Sequence, residues 1–338
     1  MTRSSFRVGL LTITLAAAGM LGPIAPARSQ TYMLGPAANA WPGDFEKDSV
    51  IVIDVHPLAQ GVYAAKVNFV WTGWVELPDG ILMVDAAMNE RAAMALADTV
   101  RSRSGDRPFR YVVNTHPHLD HAGGDRFFAS LGATIVVKDS CAAELDHVLQ
   151  PPEEGVDALS RSGKTPVVKR IARRLTLGDA KRPVQIYWIG HPAHTAGDLV
   201  VFLPKQRAMF AGDVVWNRSV PWMIDPGMDV NGWLAALDSV AVKVGALDAL
   251  VPGHGVMAKP IEEVKFTYSY ITDAREKATK MAAWGTTVKQ VRDSGFLGPY
   301  EGMEFYQEIH FMNMRRLYHA ARGIKTPGRQ HIGVAKKS

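Results

Sequence analysis

The sequence predicts an α/β fold in which helices cover β-sheets, followed by a C-terminal helical segment. From residue 50 to residue 255, short apolar runs separated by turn residues alternate with amphipathic segments. After Lys259, two long segments have the apolar spacing of helices. The chain has 338 residues, of which 47% are hydrophobic, so it is long enough for one large core or two small ones.

The N-terminus has the pattern of a secretory signal peptide, which we place at residues 1–27. The start "MTRSSFR" carries two arginines, an apolar run covers residues 8–21, and "APA" at 25–27 offers a small-x-small cleavage site. An uncleaved membrane anchor is the alternative, but the run is shorter than the roughly 20 residues that a membrane helix needs. We therefore expect an exported protein, periplasmic or secreted, without stable membrane insertion after cleavage.

The charge balance and the single cysteine exclude some classes of function. The formal net charge is +5, and removal of the signal peptide with its two arginines and no acid would lower it to +3. Such a slight excess, without a basic stripe, predicts no nucleic-acid partner. Residues 324–338 form a mildly basic tail, which we interpret as a solvated end. Cys141 has no partner for an internal disulfide, and we expect a buried thiol rather than a nucleophile.

The first part of the folded region is predicted to consist of three strands and a helix. The turn Pro78-Asp79-Gly80 joins the second and third strands. The helix has apolar residues at helical spacing and Gly105 near its end. The quoted segments are "SVIVIDVH" (49–56), "GVYAAKVNFVWTGWVEL" (61–77) and "GILMVDAAM" (80–88) for the strands, and "NERAAMALADTVRSRSG" (89–105) for the helix.

The next part alternates strand and helix, which is typical of an α/β region in which ligands gather beyond the strand ends. It comprises the strand "RYVVNTH" (110–116), the helix "AGGDRFFASLG" (122–132), the strand "ATIVVKD" (133–139) and the helix "SCAAELDHVLQ" (140–150). Residues 151–170 are interpreted as an irregular connection.

The remaining elements are three strands, a helix, a further strand and two long helices. Proline and two glutamates open the first long helix, as is common at helix N-termini. The strands are 184–191, 197–204, 207–216 and 248–255, and the helices are 230–245, 260–285 and 301–323.

The segment "NTHPHLDHAGG" (114–124) has the residue types and spacing of a metal site. Imidazole and carboxylate are the ligands that zinc uses when thiolate is absent. His116 and His118 are two residues apart, so on an extended segment they point to the same side. Asp120 and His121 follow where the chain turns into a helix and can face a neighbouring point. The alternative is a chance cluster of surface histidines.

With these and four other landmarks, the sequence resembles the metallo-β-lactamase-fold superfamily of hydrolases. "THPHLDHAGG" matches the HxHxDH motif, and "ILMVDAA" with Asp85 matches the first motif. "GHPAHTAGDLVVFLP" resembles the GHTxG segment, "MFAGDVVW" the GD segment, and "LVPGHG" the last histidine segment. The resemblance implies an αββα sandwich over residues 45–260 as catalytic domain, with residues 261–323 as a helical extension packed on it.

The resemblance also implies a ligand set for two zinc ions, with iron and manganese as alternative metals. One ion would be held by His116, His118 and His194, and the other by Asp120, His121 and His254. Asp213 would bridge both ions, which is similar to the glyoxalase-II-like and lactonase-like branches. Asp85 would orient the histidine loop through hydrogen bonds. His191 is the alternative to His194, but the following "TAGD" fits the family pattern only with His194.

By the same resemblance, the chain is expected to be an exported dinuclear zinc hydrolase. A metal-bridging hydroxide would attack the carbonyl of an ester, thioester, lactone or lactam, with Asp120 as the catalytic residue that orients the nucleophile. The alternatives are a β-lactamase proper, or a metal-binding accessory protein of a periplasmic oxidation pathway with little turnover. The loop after Asp213 is similar to a periplasmic subgroup associated with quinoprotein-dependent oxidation.

The partner is predicted to be a small organic molecule, and no motif assigns an oligomeric state. Aromatic side chains with one cation would suit a moderately apolar, anionic substrate. The alternative is that the tryptophans among the candidate residues pack in the core. The candidate pocket residues are Trp71, Trp74, Trp216, Asn217, Arg218 and Trp222.

Overall fold

The computed structural model describes residues 30–32, 50–152 and 155–325. The predicted signal peptide (1–27) lies outside the described residues, as do residues 45–49 of the predicted catalytic domain. Only the first two residues of the predicted basic tail (324–338) are described.

The described strands form one continuous hydrogen-bonded sheet that folds into two halves. The N-terminal half contains β1 (Gln30–Tyr32), β2 (Ile51–Ala59), β3 (Val62–Val67), β4 (Val70–Leu77), β5 (Gly80–Val84), β6 (Phe109–Val113), β7 (Thr134–Lys138) and β8 (Val167–Ile171). The C-terminal half contains β9 (Arg174–Gly178), β10 (Pro183–Trp188), β11 (Leu199–Leu203), β12 (Ala208–Asn217) and β13 (Ala249–Gly255).

The strand order shows where the two halves meet. It runs β8-β7-β6-β5-β4-β13-β12-β11-β10-β9, and β1, β2 and β3 continue from β4. The strands from β5 to β8 pair in parallel, as do β12 and β13, and the other pairs are antiparallel. β4 and β13 pair only at Val70 and His254, so the halves join through one bridge at the end of β13.

Three apolar cores separate four layers. The first core lies between the N-terminal half-sheet and the helices α1 (Glu90–Ser104), α2 (Leu119–Ala122), α3 (Asp125–Ser130), α4 (Ala142–Val148) and α5 (Ala158–Ser162). The second lies between the two half-sheets. The third lies between the C-terminal half-sheet and the helices α6 (Val230–Val244), α7 (Pro260–Ala283), α8 (Val288–Ser294) and α9 (Tyr306–Ala321). The predicted αββα sandwich with C-terminal helices is confirmed.

Local chemistry explains why α1 begins and ends where the sequence predicts. The Asn89 side chain accepts a hydrogen bond from the Ala92 backbone N–H and caps the helix. Glu90 lies in the first turn and Arg101 in the last, which suits the helix dipole. Gly105 follows with a φ of 78°, a conformation that glycine adopts without steric cost.

The segment 61–77, predicted as one strand, is divided into the hairpin of β3 and β4. Asn68 has a φ of 57°, and Val67 pairs with Val70 across the turn. Asparagine tolerates this left-handed conformation better than most residues, and its Oδ1 accepts a hydrogen bond of 2.8 Å from Val52 N–H. The turn matters because it brings the Phe69 carbonyl oxygen to His254, one of the predicted ligands.

Regular structure also occurs where the sequence pattern predicts none. The segment predicted to be irregular contains α5 and most of β8, while β9 and α8 add to the predicted elements. β8 and β9 have mostly exposed or half-buried residues, so they lack the apolar pattern of a buried strand.

No helix among the described residues combines the length and apolarity needed to cross a membrane.

Candidate metal centre

The histidine-rich loop lies at the end of the buried strand β6, where α2 begins. His116 and His118 occupy the loop, and Asp120 and His121 lie on α2. All four side chains are buried. Gly123 and Gly124 allow the loop to lie against the β5 end, since an added Cβ would overlap the carbonyl oxygens of Met88 and Ala86.

The C-terminal half of the sandwich supplies the other three predicted ligands. His194 follows β10, Asp213 lies within β12 and His254 lies near the end of β13, and all are buried. Potential ligand atoms fall into two groups, and within each group they lie within 4.8 Å of one another. The first group consists of His116, His118, His194 and Asp213, and the second of Asp120, His121 and His254.

Asp213 lies between the two groups. Its Oδ2 atom lies 3.2 Å from His194 Nε2 and 3.6 Å from His116 Nε2. Its Oδ1 atom lies 3.1 Å from His121 Nε2 and 3.4 Å from His254 Nε2. One carboxylate oxygen therefore faces each group, which is the arrangement expected of a residue that bridges two ions.

The potential ligand atoms are arranged more suitably for metal coordination than for hydrogen bonds among themselves. Within the described chain, His116 Nε2 and both oxygens of Asp213 are buried without a hydrogen bond. The nitrogens around Asp213 lie 3.1 to 3.6 Å from its oxygens. Buried polar atoms are normally satisfied, so several such atoms converging on one point indicate a ligand. Nitrogen and carboxylate oxygen are suitable donors for zinc and other divalent ions.

Hydrogen bonds on the far side of the rings orient the imidazoles of the first group. His194 Nδ1 donates to the Trp222 carbonyl oxygen at 3.1 Å, which leaves Nε2 as the donor atom for a metal. His118 uses the opposite nitrogen, because its Nε2 lies 2.9 Å from Asp225 Oδ2 while Nδ1 faces His194. His116 Nδ1 lies 3.1 Å from Thr115 Oγ1.

In the second group, Asp85 and a backbone carbonyl fix the histidines. His121 Nδ1 lies 2.9 Å from Asp85 Oδ2, and His254 Nδ1 donates to Phe69 O at 3.2 Å. Asp85 also accepts hydrogen bonds from the backbone and hydroxyl of Thr115, at 2.7 and 2.9 Å. It thus holds both ends of the histidine loop, as expected for a residue that orients the ligands.

Electrostatics concentrates negative charge at the centre of the site. Burial alone would raise the pKa of Asp213, but the surrounding histidines hold that pKa well below its ordinary value. Burial alone would lower the pKa of His254, but Asp213 and Asp120 raise it to about 9. The pKa of His121 is also raised by Asp213, Asp120 and Asp85, against the effect of burial. An anionic carboxylate among nitrogen donors favours a cation.

Some predicted pocket residues support the site rather than line an opening. Trp216 is fully buried and stacks on the His254 ring at 4.1 Å. Trp71 Nε1 donates to Gly255 O at 3.0 Å, and Asn217 Nδ2 donates to Val256 O at 2.8 Å. These three side chains brace the end of β13. Trp222 is also buried and supplies its carbonyl oxygen to His194.

Trp74 and Arg218 differ from the other predicted pocket residues. Trp74 is fully buried in the core beneath α1, where its Nε1 donates to Ser104 Oγ. The prediction that Trp74 belongs to the substrate pocket is wrong, because its side chain is on the face of β4 that packs against α1. Arg218 is exposed at the loop after β12, with a φ of 55°.

Two other predictions concern His191 and Cys141. His191 is exposed and belongs to neither ligand group. Cys141 is buried, with its sulfur 3.9 Å from Thr195 Oγ1, and burial raises the thiol pKa to about 12. The thiol is therefore protonated at neutral pH, as expected of a structural residue.

The sequence pattern did not reveal Asp225 as a functional residue. Asp225 lies 107 positions after His118, in the loop between β12 and α6. Burial alone would raise its pKa, but the hydrogen bond and charge of His118 hold that pKa below the ordinary value. Only the proline after it hinted at a fixed turn, so no local motif could have identified its contact with His118.

Comparisons with known proteins agree with this geometry. The family model described as the metallo-beta-lactamase superfamily matches residues 65–254. The metallo-beta-lactamase type 2 of Elizabethkingia meningoseptica is 23% identical over 233 residues, covering 68% of this chain and 85% of that protein. The acyl-coenzyme A thioesterase MBLAC2 of Gallus gallus is 26% identical over 247 residues, covering 64% of this chain and 86% of that protein.

A solved structure shows the same fold. The stereoselective inverting sec-alkylsulfatase Pisa1 from Pseudomonas sp. superposes with a TM-score of 0.59 at 14% identity. The match covers 80% of this chain and 50% of the sulfatase. Since the family model spans more than half of the sequence and the ligand motifs converge in the structure, the chain is a metallo-hydrolase of the metallo-β-lactamase superfamily.

Proposed function

We propose that this protein is an exported, dinuclear zinc hydrolase that cleaves an ester, thioester, lactone or lactam in a small organic molecule. The observation that carries the proposal is the position of Asp213. Its two oxygens face two separate groups of donor atoms at 3.1 to 3.6 Å. A single carboxylate shared in this way supports two ions rather than one.

In this proposal most residues of the site hold or orient the metal ions, and one residue accepts a proton. Ions bound there would lower the pKa of water and polarise the scissile carbonyl. Asp120 lies within the second ligand group, with its Oδ2 3.2 Å from His254 Nε2 and 3.6 Å from His121 Nε2. From this position its carboxylate would orient the attacking water and accept its proton. Asp85, Asp225 and the Trp222 carbonyl keep the imidazoles in place.

Zinc is proposed because both groups consist of imidazole and carboxylate donors. Iron and manganese accept the same donors and are therefore included in the test. The thiol of Cys141 is excluded as a ligand or nucleophile by its burial, its contact with Thr195 and its raised pKa.

The names of two relatives and the composition of the site support the proposed range of carbonyl substrates. The names of the relatives in Elizabethkingia meningoseptica and Gallus gallus indicate a lactamase and an acyl-coenzyme A thioesterase. Both activities require attack on an acyl carbon, which two ions and an aspartate could support. The lactamase relative favours β-lactam hydrolysis as the second candidate function.

Location and partners are part of the same proposal. The pattern of residues 1–27 supports export to the periplasm or the medium. The small net charge supports a small-molecule substrate rather than a nucleic acid. An accessory role with little turnover is the remaining alternative, and it predicts metal binding without hydrolysis.

The test measures the metal content of the purified mature chain and its activity on penicillin, carbapenem, lactone, ester and thioester panels. We expect two equivalents of zinc per chain and hydrolysis of at least one class, abolished by a chelator. His116→Ala and His194→Ala should each lose one equivalent and reduce kcat/KM on the order of a hundredfold or more. His147→Ala, at an exposed position, is the matched control.

Each alternative has its own outcome. Turnover of lactams alone would support a β-lactamase, and no turnover of any lactam would exclude it. A stable protein that holds metal but hydrolyses nothing would favour the accessory role. Two histidine variants with wild-type metal content and rates would contradict the proposed ligand set.

A further inference from the structure

The loop between β12 and α6 supplies two orienting groups to the first ligand group. The Trp222 carbonyl accepts the hydrogen bond of His194 Nδ1 at 3.1 Å, and Asp225 Oδ2 lies 2.9 Å from His118 Nε2. The path of this loop therefore determines the directions in which two of the predicted ligands point. A residue that fixes the position of this loop therefore also fixes the orientation of His194 and His118.

Asn313, on the C-terminal helix α9, holds this loop on both sides of Trp222. Its Nδ2 donates to Pro221 O at 2.7 Å, and its Oδ1 accepts from Met223 N–H at 3.0 Å. The side chain is fully buried. A single amide thus fixes the peptide groups before and after the residue whose carbonyl orients His194.

A chain of hydrogen bonds fixes the direction of that amide. The Gly295 carbonyl can only accept, so His310 Nε2 donates to it at 3.0 Å, and His310 Nδ1 must accept from Tyr270 OH at 2.9 Å. The Tyr270 oxygen then accepts from Asn313 Nδ2 at 3.0 Å. The two N–H groups of Asn313 Nδ2 donate to Pro221 O and Tyr270 OH, and Oδ1 accepts from Met223 N–H, so a flipped amide would break three bonds.

Backbone hydrogen bonds from the C-terminal segment that precedes α9 fix the start of the loop. Val220 N–H donates to Glu304 O at 2.9 Å, and Glu304 N–H donates to Arg218 O at 3.0 Å. These bonds place the loop against the segment before α9. Asn313 then adds side-chain hydrogen bonds from α9 to Pro221 and Met223.

We propose that Asn313 is a positioning residue for the first metal, and that the C-terminal helices are therefore part of the metal centre. The helices lie beyond residues 65–254, which the superfamily model matches. The inference rests on the proposed metal site but not on hydrolysis. Removal of a hydrogen-bond partner behind a ligand typically weakens metal binding by about ten- to a hundredfold, and Asn313 acts one residue further away.

The test compares zinc affinities in proteins that keep one ligand group each. His254→Ala leaves the first group intact, and His116→Ala leaves the second intact. Asn313→Leu, close in size but unable to hydrogen-bond, is added to each, and zinc is titrated in competition with a coloured chelator. We expect the dissociation constant to rise about tenfold in the His254→Ala background and to stay within about twofold in the His116→Ala background.

The matched control is Tyr318→Phe. Tyr318 is buried on the same helix and donates to Thr286 O, away from the loop. The variant removes a partly buried hydrogen bond of α9, so it should lower the free energy of unfolding without changing the zinc affinity. A merely structural role of Asn313 would make Asn313→Leu behave like this control.

The outcomes separate the two levels of the proposal. Equal zinc affinities with and without Asn313→Leu, or equal losses in both backgrounds, would overturn the positioning role alone. If Asn313→Leu does not fold, Tyr270→Phe decides, because it releases the Asn313 amide and should raise the dissociation constant of the first group only. A wild-type protein that binds no zinc would overturn the proposed function as well.

Discussion

Glu263, on the first turn of α7, is a buried acid outside the metal centre. It is fully buried, and its Oε1 accepts a hydrogen bond of 2.6 Å from Ala258 N–H. Burial raises its pKa to about 8, although that hydrogen bond acts in the opposite direction. The bond ties α7 to the segment that follows β13, so the acid lies behind the end of the strand that carries His254.

The raised pKa of Glu263 predicts a stability that falls with pH. The folded carboxyl keeps its proton above the ordinary pKa of 4.5, whereas the unfolded chain loses it, so the contribution is complete below about pH 4.5 and is lost as pH rises to about 8. Relative to Glu263→Gln, the wild type should lose up to about 1.4 kcal/mol of unfolding free energy per pH unit in this window. Denaturant titrations at several pH values measure it.

The control for this prediction is the neighbouring residue. Glu262 is exposed and faces Lys259, with a distance of 3.8 Å between its carboxylate and the ammonium. Glu262→Gln should therefore keep the loss of stability with rising pH, with the upper end of the window slightly lower because the Glu262 charge contributes to the raised Glu263 pKa. A constant difference between Glu263→Gln and the wild type from pH 5 to pH 8 would show that Glu263 titrates normally.

Single residues also show why only part of the site was predictable. The predicted ligands His116, His118, Asp120 and His121 lie within six positions, so their spacing is visible in the sequence. Asp225 meets His118 across 107 positions, and Asn313 meets Met223 across 90. Contacts of this kind depend on the path of a loop and on helix packing, which leave no local pattern.

Between neighbouring elements, the close approach of β13 to β12 places Asp213. Gly253 lies on β13 directly against Asp213, and an added Cβ would overlap the Asp213 Oδ1 atom and crowd its backbone nitrogen. The strands pair in parallel with register shifts around Gly212. The glycine therefore leaves room for the carboxylate that faces both ligand groups.

Gly253→Ala should displace Asp213 and weaken zinc binding in both groups. Because the methyl group takes the space of Oδ1 and the strands are buried, the carboxylate has no alternative position without movement of β13. Metal analysis after dialysis should show less than one equivalent per chain. Gly245→Ala, where nothing lies within 4 Å of an added Cβ, should retain wild-type metal content. Equal content in both variants would contradict this role of the strand approach.

The hairpin of β3 and β4 shows what the pattern of an element can and cannot predict. Its apolar runs predict extended structure, and extended structure is found on both sides of Asn68. The turn consists of Asn68 and Phe69 without glycine or proline, so the pattern continues across it. The position of a two-residue turn here depends on the hydrogen bond to Val52, from a strand not adjacent in sequence to the turn.

On the scale of the whole molecule, the metal centre lies where the two halves of the sandwich meet. The histidine loop belongs to the N-terminal half, whereas His194, Asp213 and His254 belong to the C-terminal half. Within the sheet the halves pair only at Val70 and His254, and elsewhere they meet through the core between them and through contacts at the site, such as those of His118 with Asp225. Ions held by both halves would therefore join them more firmly.

Bound metal should accordingly stabilise the entire fold rather than one loop. A ligand present at a hundredfold excess over its dissociation constant adds about 2.7 kcal/mol of unfolding free energy. For a folded region of this size that corresponds to an increase in Tm of about 5 °C. Thermal unfolding of the mature protein, with zinc and with excess chelator, measures the difference. His194→Ala, which keeps the second ligand group, should lose part of the increase, and His147→Ala should keep all of it. Identical unfolding curves with and without metal would mean that the ions do not connect the two halves.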